Sequence, residues 1–164
     1  MIREINDKGL KIVKDFEGVS LTPYLCPANV YTIGIGTTVY PNGTKVKKED
    51  PPITLDQALI YLKHDLKYFC DRVDSFCQKN SIYLGDNKFS AIVSFCYNVG
   101  LGPLTTKGKL MHDGLITNDE DKIKKAFLAY TKVTKIQKGV AKKIELPGLV
   151  KRRKAEMELF FSKS

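Results

Sequence analysis

Between residues 6 and 16 the apolar side chains Leu10, Val13 and Phe16 recur at i, i+3, with Ile12 beside them. That spacing predicts a short helix, with Asn6 placed to cap it and Gly18 to stop it. The period then shortens. Leu21, Tyr24 and Leu25, followed by Val30, Tyr31, Ile33 and Ile35, predict strands over 20–26 and 30–36 around a Pro27-Ala28-Asn29 turn. Pro41-Asn42-Gly43 is a second turn signal and offers Thr44 to Lys47 as a short returning strand. The expectation is a small sheet of three strands packed on one helix.

Asp50-Pro51-Pro52 breaks the chain, and Thr54 with Gln57 then fits a capping box. Leu55, Leu59, Leu62, Leu66, Phe69, Val73 and Phe76 keep a helical period. The resulting helix of about 22 residues is ~33 Å long, enough to bridge two lobes. Beyond it only helices are predicted: 86–99, about 105–113, 119–131 after an Asn118 cap, and 148–161 after Pro147. The fold class is therefore α+β and mostly helical, with a small antiparallel sheet and a long interlobe helix. One domain over 1–164 is expected, with a small lobe at about 1–53, a connecting helix at about 54–77 and a helical lobe at about 78–164.

At 43% hydrophobic residues the chain can bury a core. No run approaches the roughly 20 apolar residues of a membrane-spanning helix. The first residues mix both charges and lack the apolar stretch of a signal peptide, so synthesis in the cytosol is expected. Cys70 and Cys77 are about 10.5 Å apart along one helix and cannot pair there. No Cys-x-x-Cys occurs, and His64 and His112 lack zinc-finger spacing, so no metal or other cofactor is expected. Cys70, Cys77 and Cys96 read as reduced, buried thiols.

The net charge of +9 is uneven: residues 101–164 hold 15 Lys or Arg against 7 Asp or Glu. A basic half invites a polyanion, whether nucleic acid, anionic lipid or anionic wall polymer. A solvated surface is the bland alternative for most of these lysines.

The chemistry concentrates between Glu17 and Thr38. Glu17 falls at a helix end, Cys26 and Thr32 on the strands, and Gly34 and Gly36 permit close approach of a backbone or ligand. A cleft between two lobes is a natural binding site. Cys26 and Thr32 are an even number of residues apart, which favours one face, although the turn interrupts the count. Each residue alone also fits a structural role.

Together they resemble a known family. Glu17, Cys26 and Thr32 are similar to the Glu–Asp/Cys–Thr signature of phage-type lysozymes, the endolysins of glycoside hydrolase family 24. Phe16-Glu17-Gly18, Leu21, Tyr24 and Thr32-Ile33-Gly34-Ile35-Gly36 match that family's pattern. So do Ser94-Phe95-Cys96-Tyr97-Asn98-Val99-Gly100 and Pro147-Gly148-Leu149-Val150-Lys151-Arg152-Arg153 with Glu156, Leu159 and Phe160. The resemblance implies a two-lobed lysozyme-like fold without cofactor. It implies hydrolysis of the β-1,4 bond between N-acetylmuramic acid and N-acetylglucosamine in peptidoglycan. Glu17 would be the general acid, with the raised pKa that a partly desolvated carboxyl supplies. Thr32 would hold the water or acceptor, and Asn98 would contact substrate across the cleft. A monomer is expected, made in the host cytoplasm and released to the wall through a phage holin.

Three departures from the family pattern stand out. Cys26 takes a carboxylate's place, and a free thiol with a pKa of about 8.5 is a poor constant charge at neutral pH. It is open to the roles of thiolate base, nucleophile or hydrogen-bonding group, so stereochemistry stays open. Thr37 stands where the family often has His. With no Trp, sugar stacking falls to Tyr or Phe, and Tyr24 and Tyr31 are candidates.

The rival readings are a lytic transglycosylase, a catalytically inactive wall-binding or nucleic-acid-binding protein using Lys151-Arg152-Arg153-Lys154, and a cysteine hydrolase pairing Cys26 with His64 or His112. No nucleic-acid-binding motif supports a nucleic-acid partner. Those basic residues have the alternative of pairing within the last helix.

Overall fold

A computed structural model describes residues 3–163. The elements run α1 (Asp7–Glu17), β1 (Ser20–Leu25), β2 (Tyr31–Gly34), α2 (Leu55–Lys79), α3 (Asp86–Val99), α4 (Gly102–Thr105), α5 (Leu110–Thr117), α6 (Glu120–Leu128), β3 (Lys132–Gln137), β4 (Val140–Glu145) and α7 (Pro147–Phe161). The mostly helical expectation holds. α2 extends to 25 residues and begins with the expected capping box on Thr54 and Gln57.

The core is built around α3. Every side chain from Phe89 to Cys96 is buried, because α1, α2 and α7 all pack on this helix. A helix enclosed in this way has no solvated face and its sequence is apolar nearly all round. α1 approaches it at Gly9, where a Cβ would stand 2.7 Å from that of Ser90. The Asn6 amide donates to the Ser90 hydroxyl at 2.8 Å, and the Asn6 side chain caps α1 on the Gly9 amide. The start of α1 is thereby fixed to α3, and its far end carries Glu17. The β1–β2 hairpin leans on α2, where Gly34, at φ +69°, lets the strand pass close to Ala58.

Several sequence expectations are corrected. Thr44–Lys47 forms no third strand, only a single bridge between Val39 and Lys45. The expected helix near 105–113 divides into α4 and α5. Asn118 ends α5 at φ +52° instead of capping α6, and Asp119 caps α6 by accepting from the Lys122 amide at 3.1 Å. The region beyond α2 is not all helical, since β3 and β4 pair as a second hairpin. Val133, Thr134, Ile136, Val140 and Ile144 are its β-branched residues, but they fall on both faces among five interleaved lysines and give no clear alternation. Among the described residues no helix is long and apolar enough to cross a membrane.

Candidate active site

Glu17 closes α1, and Gly18 stops the helix at φ +78° with its amide donating to the Lys14 carbonyl. The Glu17 side chain is 28% exposed and accepts from Arg152 Nη1 at 2.6 Å. Arg152 rises from α7 and is itself buried. Its Nε donates to Glu156 at 3.2 Å and its Nη2 to the Ser94 carbonyl at 3.2 Å. Ser94 also donates to Glu156. Three helices thus fix one guanidinium against the Glu17 carboxylate. A pocket of about 390 Å³ opens beside this pair, lined by Phe16, Glu17, Asn98, Pro147, Leu149 and Arg152 among others. Asn98 is exposed at its wall, so Glu17 and Asn98 line the same pocket.

Behind Arg152 the charge is enclosed. Arg153 and Glu156 are fully buried, and Arg153 Nε lies 2.9 Å from Glu156. That contact has ion-pair distance but not hydrogen-bond alignment, and the Arg153 guanidinium sits over the Phe95 ring at 5.3 Å. Burial pushes the Glu156 carboxyl up and the Arg153 guanidinium down. The basic run at 151–154 is therefore no surface patch: only Lys151 and Lys154 are exposed, and Arg152 and Arg153 are buried.

Cys26 and Thr32 form a second pair on the first hairpin. Tyr24 faces Thr32 across the strands, and Leu25 faces Tyr31. The Cys26 amide donates to the Val30 carbonyl at 3.0 Å, and the Asn29 amide returns to the Cys26 carbonyl at 2.8 Å. Asn29 sits at φ +63°, the left-handed residue that a three-residue loop requires. This loop sets Cys26 opposite Val30, so the alternation continues through the turn. Tyr24, Cys26 and Thr32 share one face, and Tyr31 falls on the other.

The Thr32 hydroxyl is buried and donates to the Val30 carbonyl at 3.0 Å. Hydrogen bonding from the Val30 backbone, then from the Thr32 hydroxyl, holds the Cys26 thiol below its ordinary value. Burial raises the other three thiols, Cys70 and Cys77 to about 11 and Cys96 further. His112 is engaged with Asp113 and the Phe76 ring, and among the described residues no hydrogen bond joins Cys26 to His64 or His112.

Thr37 has a partner of its own. Its hydroxyl, fully buried, donates to Asp65 of α2 at 2.8 Å. Burial raises the Asp65 pKa. Tyr97 is within electrostatic reach of both Asp65 and Glu17. Its hydroxyl would lie 3.7 Å from a Cβ at Gly36, and both burial and the charges of Asp65 and Glu17 raise its pKa. Sequence reading missed Tyr97, although it adjoins Asn98, and it left the role of Arg152 undecided. The signal was the i, i+4 register of Arg152, within the basic run, with Glu156 one helical turn on.

Comparison places this architecture among the lysozymes, as an enzyme of that class. Residues 14–156 match the phage lysozyme family, and the chain belongs to that family. It is 32% identical over 158 residues to the endolysin of Acyrthosiphon pisum secondary endosymbiont phage 1, covering 96% of this chain and 98% of that protein. It is 31% identical to the endolysin of Bacillus phage PZA, of whose length it spans 55%. Among solved structures, the endolysin of Escherichia coli O157:H7 phage FAHEc1 superposes with a TM-score of 0.77 at 31% identity, over 97% of this chain and 94% of that one. A P22 lysozyme mutant gives 0.76 at 25% identity, over 98% of this chain and all of the other.

Proposed function

We propose that this lysozyme is an endolysin that hydrolyses the β-1,4 bond between N-acetylmuramic acid and N-acetylglucosamine in bacterial peptidoglycan and so lyses the host. The carrying observation is the Glu17 carboxylate, held by Arg152 at 2.6 Å at the edge of a pocket it shares with Asn98. Glu17 protonates the leaving glycosidic oxygen. As the proton leaves, negative charge develops on Glu17 beside a guanidinium already fixed by Glu156 and Ser94. Such a preorganised cation needs no reorganisation during the step. Asn98 and Tyr24 hold the sugars.

Cys26 and Thr32 act on the attacking water or on the intermediate. The Thr32 hydroxyl has one proton and two neighbours for it, the Val30 carbonyl and the Cys26 sulfur. A lowered thiol pKa supplies more thiolate than a free cysteine would at neutral pH. Release to the wall through a phage-made holin belongs to this reading.

The test is digestion of purified peptidoglycan by the wild type and by Glu17→Gln, with released fragments read by mass spectrometry and NMR. Hydrated reducing muramic acid ends, absent with the variant, are expected. The product anomer assigns Cys26 as base or nucleophile. Anhydro ends would instead assign a lytic transglycosylase.

A further inference from the structure

The hairpin of β3 and β4 projects from the fold. Its six residue pairs run from Lys132–Glu145 to Gln137–Val140. Lys138 and Gly139 join them at φ +50° and +77°, the backbone of a tight two-residue turn. The base is closed by the Leu146 amide donating to the Thr131 carbonyl at 3.0 Å. Beyond that point the strands contact chiefly each other, and only the Val133–Ile144 pair is partly covered. Ile136 is 77% exposed and Val140 is 56% exposed, both beside the turn.

Three features of this hairpin are unfavourable for a free, solvated element. Lys135 and Lys142 face each other directly, and like charges across an antiparallel pair are destabilising. Lys138 occupies a left-handed turn position better suited to Asn or Gly. Two β-branched apolar side chains sit in water at the tip. Five lysines, Lys132, Lys135, Lys138, Lys142 and Lys143, stand against the single acid Glu145. Among the described residues none of the five is in an ion pair.

We infer that this hairpin docks on the surface of an anionic lipid bilayer. Ile136 and Val140 enter the interfacial layer tip first, and the lysines reach back along their aliphatic stems to the headgroup phosphates. A soluble polyanion would neutralise the lysines and leave the apolar tip in water. A bilayer covers both. Since Ile136 and Val140 lie on opposite faces of the ribbon, insertion from the tip is the approach that buries them together. The inference narrows the diffuse basic character of residues 101–164 to one element. It does not depend on which bond the enzyme cleaves.

The chain contains no Trp, so Ile136→Trp places the protein's single tryptophan at the tip, where it is excited selectively over the eight tyrosines. It is mixed with vesicles of phosphatidylglycerol and phosphatidylethanolamine, or with phosphatidylcholine alone. A blue shift and co-flotation are expected with the anionic vesicles only, weakening as salt is added. In the native background, Ile136→Ser with Val140→Ser should lower vesicle binding by about tenfold. The same variant should keep its retention on heparin. Lys135→Glu with Lys142→Glu should lose both, at about fivefold per lysine for vesicles. The melting temperature checks folding, since the tip lies outside the core. Flotation without a shift, equal vesicle binding by the serine variant, or no flotation at all would each overturn the inference.

Discussion

Arg152 joins two carboxylates of opposite exposure. Its Nη1 lies 2.6 Å from Glu17 at the pocket, and its Nε lies 3.2 Å from Glu156 in the core. The exposed acid is therefore positioned by an internal one. Ser94, on the central helix, bonds both Arg152 and Glu156 and sets the spacing between them.

Removing the inner acid should be costly. Glu156→Ala leaves Arg153 enclosed with no acidic partner and Arg152 with one fewer. A loss of about 3–5 kcal/mol is expected for a buried charge stripped of its partner. Urea unfolding followed by circular dichroism measures it, and a loss near zero would show that the buried charges contribute no net stability.

Arg152→Lys keeps the charge but loses the fork that spans Glu17, Glu156 and the Ser94 carbonyl. If Arg152 meets the charge developing on Glu17, turnover on purified peptidoglycan should fall by about 100-fold, with a smaller change in substrate affinity. An affinity change alone would make Arg152 a binding residue.

The four thiols should separate by reactivity. Cys26 has a lowered pKa and is partly exposed, while burial raises those of Cys70, Cys77 and Cys96. Iodoacetamide labelling of the native protein, read by mass spectrometry across pH, should modify Cys26 first. Its midpoint should fall below that of a free thiol at about 8.5. A midpoint above that value would remove the thiolate from the mechanism.

Alkaline pH should weaken the fold. Cys70 and Cys77 are raised to about 11 in the folded state. In that window the unfolded chain releases thiol protons that the folded chain retains, so stability is full below the unfolded pKa and falls as pH approaches 11. The melting temperature should drop between pH 8 and pH 11, and less steeply in Cys70→Ala with Cys77→Ala. Equal slopes would assign the drop to other groups.

Thr37→Val removes the hydroxyl that Asp65 accepts from, in a site with no exposure at Thr37. A half-buried carboxylate left short of a donor should cost about 1–3 kcal/mol. Thermal melts at neutral pH give the comparison. An unchanged protein would mean that solvent replaces the lost bond.

Local signals gave the elements they govern most directly. Asn6, Gly18 and the Thr54–Gln57 box mark helix ends because a side chain or a missing Cβ satisfies backbone groups there, and each stands where the sequence places it. Glu17 was legible as a helix-end acid. The face shared by Cys26 and Thr32 was legible only in part, since the even spacing survives because the Pro27–Asn29 loop holds three residues. Burial of Arg152 and Arg153 was hidden, because a basic run gives no sign of the acid it will meet. The fit of Thr37 to Asp65 joins residues 28 positions apart and leaves no local trace. The second hairpin escaped notice because lysines occupy both of its faces.

The ion pair at the pocket also sets a schedule. Glu17 and Arg152 are separated by 135 residues, and both belong to helices that rest on α3. At roughly 5–20 residues added per second, the arginine is made roughly 7–27 s after the glutamate. Throughout that interval the nascent chain holds the acid without its cation and lacks the helix that forms one wall of the pocket. A lytic enzyme ordered in this way stays unassembled on the ribosome until nearly all of these residues have been translated.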